Sequence, residues 1–123
     1  AHAPTWRYRN LLRTAAMDGA LMSPHELDVA LTFGNIEAAA GLNGGTDGAR
    51  AVSRVLRATW AAFARSGDPA NATIPTWPAY DGERRVLLIS PTPRVADGDV
   101  DGAALAVAGG LSDRMIDWFG VFS

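Results

Sequence analysis

The feature that most constrains the fold is a short apolar run from Val86 to Ile89, bounded by Pro91 and Pro93. A run of this length without polar alternation predicts a strand that is covered on both faces. The sequence offers one other strand, over residues 5–9, where β-branched and aromatic residues alternate with polar ones. Because two strands alone are marginal in water, we predict that the chain is part of a larger α/β domain.

Helices are predicted to cover these strands. The clearest helix is predicted from about Asp47 to Arg65, and Gly67 ends it. It has an apolar stripe on one side, and its arginines lie mainly outside that stripe. A final helix is expected from Ser112 to about Phe119. The stripe of the long helix consists of Val52, Val55, Leu56, Thr59, Trp60 and Phe63.

A shorter helix is predicted to follow the tetrapeptide Ser23-Pro24-His25-Glu26. Ser23 suits the N-cap, Pro24 suits the first helical position, and Glu26 completes a capping box. This pattern places His25 in the first turn of the helix or in the loop that leads into it. The other histidine, His2, is expected to be exposed and without a chemical role.

The composition excludes several classes of site. The chain has no cysteine, so disulfides, thiolate chemistry and cysteine zinc sites are absent. No metal site is predicted, since Asp97–Gly102 resembles the start of a calcium loop but Ala108 occupies the position of its closing glutamate. The net charge of -2 does not favour a nucleic acid or an anionic membrane surface. The aromatic residues are therefore interpreted as core rather than as a stacking surface: Trp60, Phe63, Trp77, Tyr80, Trp118 and Phe119.

Four blocks occur in a fixed order along the chain. They are the histidine segment from His25 to Asn35, the tryptophan helix and Ser-Gly-Asp-Pro turn ending at Pro69, the Trp-Pro-Ala-Tyr segment ending at Tyr80, and the apolar strand. Together they resemble the type B carboxylesterases, the family of para-nitrobenzyl esterases and cholinesterases, over residues 5–95. Two positions depart from that pattern. Glu26 stands where the family often has glycine, and Asp28 stands where it has a longer acidic residue.

The resemblance implies that residues 1–123 form the C-terminal portion of a carboxylesterase α/β-hydrolase domain. The expected order is a late sheet strand, the histidine loop, the long amphipathic helix, an edge strand and a terminal helix. The resemblance also implies that His25 is the general acid-base of a serine esterase, which needs no cofactor. Asp28 is interpreted as a hydrogen-bond acceptor that holds the loop, rather than as the acid of the catalytic triad.

The remaining catalytic groups are expected outside this chain. No Gly-x-Ser-x-Gly occurs, and Ser23 is interpreted as a helix cap rather than as a nucleophile. The expected partners are the missing N-terminal part of the esterase, which carries the nucleophile, the acid and the oxyanion hole, and a small-molecule ester. The isolated chain is expected to be inactive, and the sequence does not indicate which residues bind the substrate.

A different class of function stays open, namely a non-catalytic interaction module that keeps the esterase scaffold. An enzyme fragment should expose the edge of strand 5–9 and self-associate, whereas a module should be a stable monomer. No apolar run is long enough to cross a bilayer, and a membrane partner is not expected. The absence of cysteine is compatible with a bacterial cytoplasmic protein, the compartment that we favour.

Overall fold

The computed structural model describes residues 3–80 and 82–97. In chain order, these residues form strand β1 (Tyr8–Asn10), a 3₁₀ turn (Ala16–Gly19), helices α1 (Leu27–Phe33), α2 (Ala40–Asn43) and α3 (Asp47–Ser66), and strands β2 (Val86–Ile89) and β3 (Arg94–Ala96). The helix predicted from Ser112 to Phe119 lies outside the described residues. So do His2, Trp118 and most of the acidic loop after Asp97.

The three strands form one sheet in the order β1-β2-β3. β1 and β2 are parallel, with Tyr8 opposite Leu87, and β2 and β3 are antiparallel, with Leu87 opposite Val95. Every residue of β2 is buried, at 0 to 4% exposure, which confirms the prediction of a strand covered on both faces. Tyr8, Leu87 and Val95 share one face of the sheet, because directly paired residues point to the same side.

Two details of the predicted sheet are wrong. The strand over residues 86–89 was expected at an edge but lies between the other two strands. The reason is β3, since residues 94–96 turn back beside β2 as a third strand that was not predicted. Three residues between prolines and acidic residues carry too little alternation for a sequence pattern to show a strand. The short helix α2 was missed because Asn43-Gly44-Gly45 is typical of a turn.

The long helix α3 agrees with its prediction to within one residue at its C-terminal end. Thr46 caps its start, with Oγ1 accepting a hydrogen bond from the backbone N–H of Ala49 at 3.1 Å. Gly67 ends it in the left-handed region at φ 74°, and its N–H donates to the carbonyl of Phe63. Both ends are therefore fixed by residues whose chemistry is local, and the apolar stripe between them packs on α1 and the sheet.

The core lies between α1, α3 and one face of the sheet. Its buried members include Leu27 and Leu31 of α1, Val52, Val55 and Leu56 of α3, Leu87 and Ile89 of β2, and Trp77. Two of the aromatic residues predicted to be core are instead exposed, Phe63 at 44% and Tyr80 at 46%. Phe63 borders an open cleft of about 300 Å³, where it meets Trp6 edge-on with ring centroids 5.8 Å apart. Helical spacing shows which residues lie on the apolar face of α3, but it does not show how far along that face other elements bury them.

Candidate active site

His25 lies in the turn immediately before α1, and its side chain is exposed. It makes no hydrogen bond or ion pair within residues 3–80 and 82–97. The loop that leads to it begins at the carboxyl end of β1, the edge at which open α/β sheets place their binding and catalytic groups. The prediction that His25 lies in the loop feeding the helix, or in its first turn, therefore agrees with the structure.

The loop is closed by its own backbone. The N–H of Thr14 donates to the carbonyl of Met22 at 2.7 Å, and the side-chain oxygen of Asn10 accepts from the N–H of Leu12 at 3.0 Å. Thr14 is buried with 2% exposure, although it lies in a connecting segment. The segment between β1 and His25 is thus a folded loop that is held by hydrogen bonds within it.

The start of α1 differs from its prediction. The helix begins at Leu27, its N-cap position is Glu26, and no side chain caps it. Ser23, predicted to be the N-cap, lies three residues too early and is exposed. The physical reason is the backbone of Glu26, whose φ of 68° and ψ of 0° place it in the left-handed region, so the chain cannot continue as helix from Ser23 through Glu26.

The left-handed conformation of Glu26 bears on its departure from the family pattern. A residue with a Cβ costs about 1–2 kcal/mol in this region, whereas glycine adopts it without that cost. Met22, three residues before His25, is also left-handed at φ 54°. The two residues flank the histidine turn, and strained backbone of this kind clusters at functional sites.

Two hydrogen bonds attach α1 to its surroundings. Ser53 of α3 donates from Oγ to the carbonyl of Leu31 at 2.6 Å, and this hydrogen bond is buried. Tyr8 of β1 donates from its hydroxyl to Oδ2 of Asp28 at 3.4 Å, a long bond for two oxygens. Burial raises the pKa of the Tyr8 hydroxyl above its usual value of 10.0, and the nearby Asp28 carboxylate raises that pKa further. Asp28 is thus an acceptor, as predicted, whereas sequence reasoning gave Tyr8 no role.

A small cleft of about 220 Å³ lies beside the histidine loop at the carboxyl end of β1. Two arginine side chains contribute to its wall, and His25 does not. Ser23 also borders this cleft, but no group in the described part of the chain forms a hydrogen bond with its hydroxyl. The lining residues are Arg9, Asn10, Leu11, Arg13, Met22 and Ser23.

Across the described ranges, no group of three or more His, Asp and Glu side chains could hold a metal ion. Within the same ranges, no helix has the length and apolar character needed to cross a membrane.

Comparisons with known proteins find relatives that are named as hydrolases and esterases. No family model matches the chain. Phenmedipham hydrolase of Pseudarthrobacter oxydans is 33% identical over 76 residues, which are 58% of this chain and 15% of that protein. Para-nitrobenzyl esterase of Bacillus subtilis is 27% identical over 106 residues, which are 80% of this chain and 20% of that protein. The chain therefore spans about a fifth or less of the length of these curated relatives.

Solved structures agree with the sequence matches. A carboxylesterase of Geobacillus stearothermophilus superposes with a TM-score of 0.66 at 29% identity, covering 84% of this chain and 21% of that structure. A PNB esterase superposes with a TM-score of 0.70 at 21% identity, covering 89% of this chain and 22% of that structure, and this match speaks for the fold. The resemblance to type B carboxylesterases is confirmed, and the fold is that of part of an α/β-hydrolase.

Proposed function

We propose that this chain is the C-terminal part of a serine carboxylesterase and supplies its general acid-base, His25. The observation that carries the proposal is the position of this residue. An exposed imidazole follows the carboxyl end of β1, immediately before α1, in the segment that matches the histidine block of the carboxylesterases.

The chemistry requires more than an imidazole. An imidazole near neutral pH can take the proton from a serine hydroxyl and return it to the leaving alcohol. The nucleophile that forms the acyl-enzyme and the donors that stabilise the oxyanion are separate requirements. The chain holds no Gly-x-Ser-x-Gly, so we assign the nucleophile, the triad acid and the oxyanion hole to an upstream part of the same protein.

The surface of the chain supports a partner of this kind. Backbone groups of Arg7 and Leu11 bond to β2, so those of Tyr8 and Asn10 point away from it. No strand of the described residues pairs with this edge of β1. Phe33 and Val29 of α1 are 72% and 53% exposed. We propose that the upstream part pairs with this edge, and that the chain on its own self-associates through it.

The absence of a nucleophile motif in this chain also favours a second candidate function. A chain that keeps the scaffold without the chemistry would be a non-catalytic interaction module. The two candidates differ in whether esterase activity appears when the upstream part is present. They also differ in whether the isolated chain is monomeric, which size-exclusion chromatography measures.

The experiment is hydrolysis of a short-chain para-nitrophenyl ester by the chain alone and by the complete gene product that contains it. We expect activity from the complete protein only, and its loss in His25→Ala without a change in the circular dichroism spectrum. His2→Ala is the matched control and should keep full activity. Activity that survives His25→Ala would rule out the proposed role. Activity from the chain alone, lost in Ser23→Ala, would identify a nucleophile within it.

A further inference from the structure

The short helix after His25 needs an external support. α1 has seven residues, which is too few for a helix to be stable in water on its own. It also starts directly after left-handed Glu26, with no side chain capping its first turn. The direction of the histidine turn therefore depends on what holds α1 against the rest of the protein.

The two halves of α1 are held by different contacts. Leu31 in the C-terminal half is fully buried against α3, and its carbonyl accepts the hydrogen bond from Ser53. In the first turn, Leu27 is buried with 1% exposure, but this contact is apolar and sets no direction. Among the described residues, the hydrogen bond from Tyr8 to Asp28 is the side-chain hydrogen bond that joins the first turn of α1, next to His25, to another element.

Tyr8 is itself well fixed. It lies opposite Leu87 in the parallel register, on the face of the sheet that meets the helices. Its ring meets Trp60 of α3 edge-on, with centroids 5.1 Å apart and an interplanar angle of 83°. An edge-to-face pair contributes about 0.5–1.5 kcal/mol beyond the area that it buries, and so favours this orientation of the ring. The hydroxyl is therefore presented to Asp28 by a strand and by the long helix at once.

We infer that Tyr8 and Asp28 form a tether between β1 and the first turn of α1, which sets the position of the His25 imidazole three residues before Asp28. This inference rests on the proposed function. Tyr8 and Asp28 are positioning residues, since they act through His25 and not on the reacting atoms. A displacement of a catalytic group by about 1 Å can cost on the order of 10²-fold in rate, so a tether of this kind matters even if its own bond is weak.

The test uses the complete protein and a para-nitrophenyl ester. Tyr8→Phe removes one oxygen and keeps the ring against Trp60. We expect kcat to fall about tenfold, with KM changing by less than about twofold, because substrate binding is not involved. Asp28→Ala should have the same effect, and the double variant should be no slower than either single one. Asp28→Glu, which keeps the carboxylate, should be faster than Asp28→Ala. Tyr80→Phe is the matched control and should be unchanged.

Amide hydrogen exchange supplies a readout that does not depend on activity. In Tyr8→Phe, exchange should become faster at residues 25–31 and stay unchanged in α3, because the tether holds only the first of these segments. Unchanged exchange at residues 25–31, or single-variant effects on kcat that simply add in the double variant, would overturn the inference. An active His25→Ala enzyme would instead overturn the proposed function. An inactive His25→Ala enzyme beside a fully active Tyr8→Phe enzyme would leave that function standing and remove the tether.

Discussion

Gly44 lies directly against the backbone of Ala15. A Cβ atom at position 44 would be 2.9 Å from the nitrogen of Ala15 and 3.0 Å from its Cβ, both closer than ordinary packing allows. Gly44 also has a φ of 79°, in the left-handed region, where it ends α2. The close approach joins the end of α2 to the loop that carries His25, so a residue distant in sequence helps to fix the candidate active site.

Gly44→Ala should therefore lower the free energy of unfolding by about 1–3 kcal/mol, through the left-handed backbone and the clash together. The measurement is urea denaturation of the two proteins. Gly41→Ala is the matched control in the same helix, since nothing lies within 4 Å of a Cβ there. It should be neutral or raise stability by up to about 1 kcal/mol. Equal effects at the two positions would contradict the contact with Ala15.

Glu26→Gly should raise the free energy of unfolding by about 0.5–1 kcal/mol. It removes the cost of a left-handed residue, which exceeds the extra chain entropy that glycine adds to the unfolded state. Ala38→Gly, in the exposed turn before α2 and without a positive φ, should lower stability instead. Thermal unfolding of both variants checks the sign. A loss of stability in Glu26→Gly would mean that the glutamate side chain makes a contribution larger than the strain.

Leu56→Ala should lower the free energy of unfolding by about 2–5 kcal/mol, because this side chain is fully buried and its removal leaves a cavity. Phe63→Ala, two turns further along the same helix, should cost less than about 1.5 kcal/mol, since it loses mainly the edge contact with Trp6. The denaturant midpoints of the two variants give this difference in stability, provided that their m-values are equal. A larger loss for Phe63→Ala would show that the aromatic cleft is closed in the folded protein.

Stability should fall as the pH rises above about 10, in a way that depends on Tyr8. The pKa of this hydroxyl is higher in the folded state than its usual 10.0. Its contribution is therefore fully present below the unfolded pKa and is lost as the pH rises through the folded pKa. Tyr8→Phe should make the decline above about pH 10 shallower.

Local patterns predicted the long helix, the buried strand and the position of His25. Thr46 and Gly67 carry the chemistry of a helix cap and a helix end, so the bounds of α3 follow from its own residues. All four residues of β2 are apolar, so the run itself favours a strand that is buried on both faces. His25 could be placed beside a helix start because Pro24 and the apolar residues after it are local signals, even though the cap assigned to Ser23 was wrong.

The contacts between distant residues could not be predicted in the same way. Tyr8 and Asp28 are 20 positions apart, and no periodicity within either segment indicates that their side chains meet. The left-handed backbone of Glu26 runs against the preference of a residue with a Cβ, and no local pattern in the sequence indicates it.

The sequence by itself determined which segments form α3 and β2, and that one histidine lies at a helix start. The tertiary structure decided that β2 is the middle strand, that Phe63 is exposed, that Tyr8 contacts Asp28 and that Gly44 contacts Ala15. The physical reason is the range of the interactions. Capping, turn chemistry and hydrophobic periodicity act within a few residues, whereas strand order and side-chain pairing depend on how complete elements pack together.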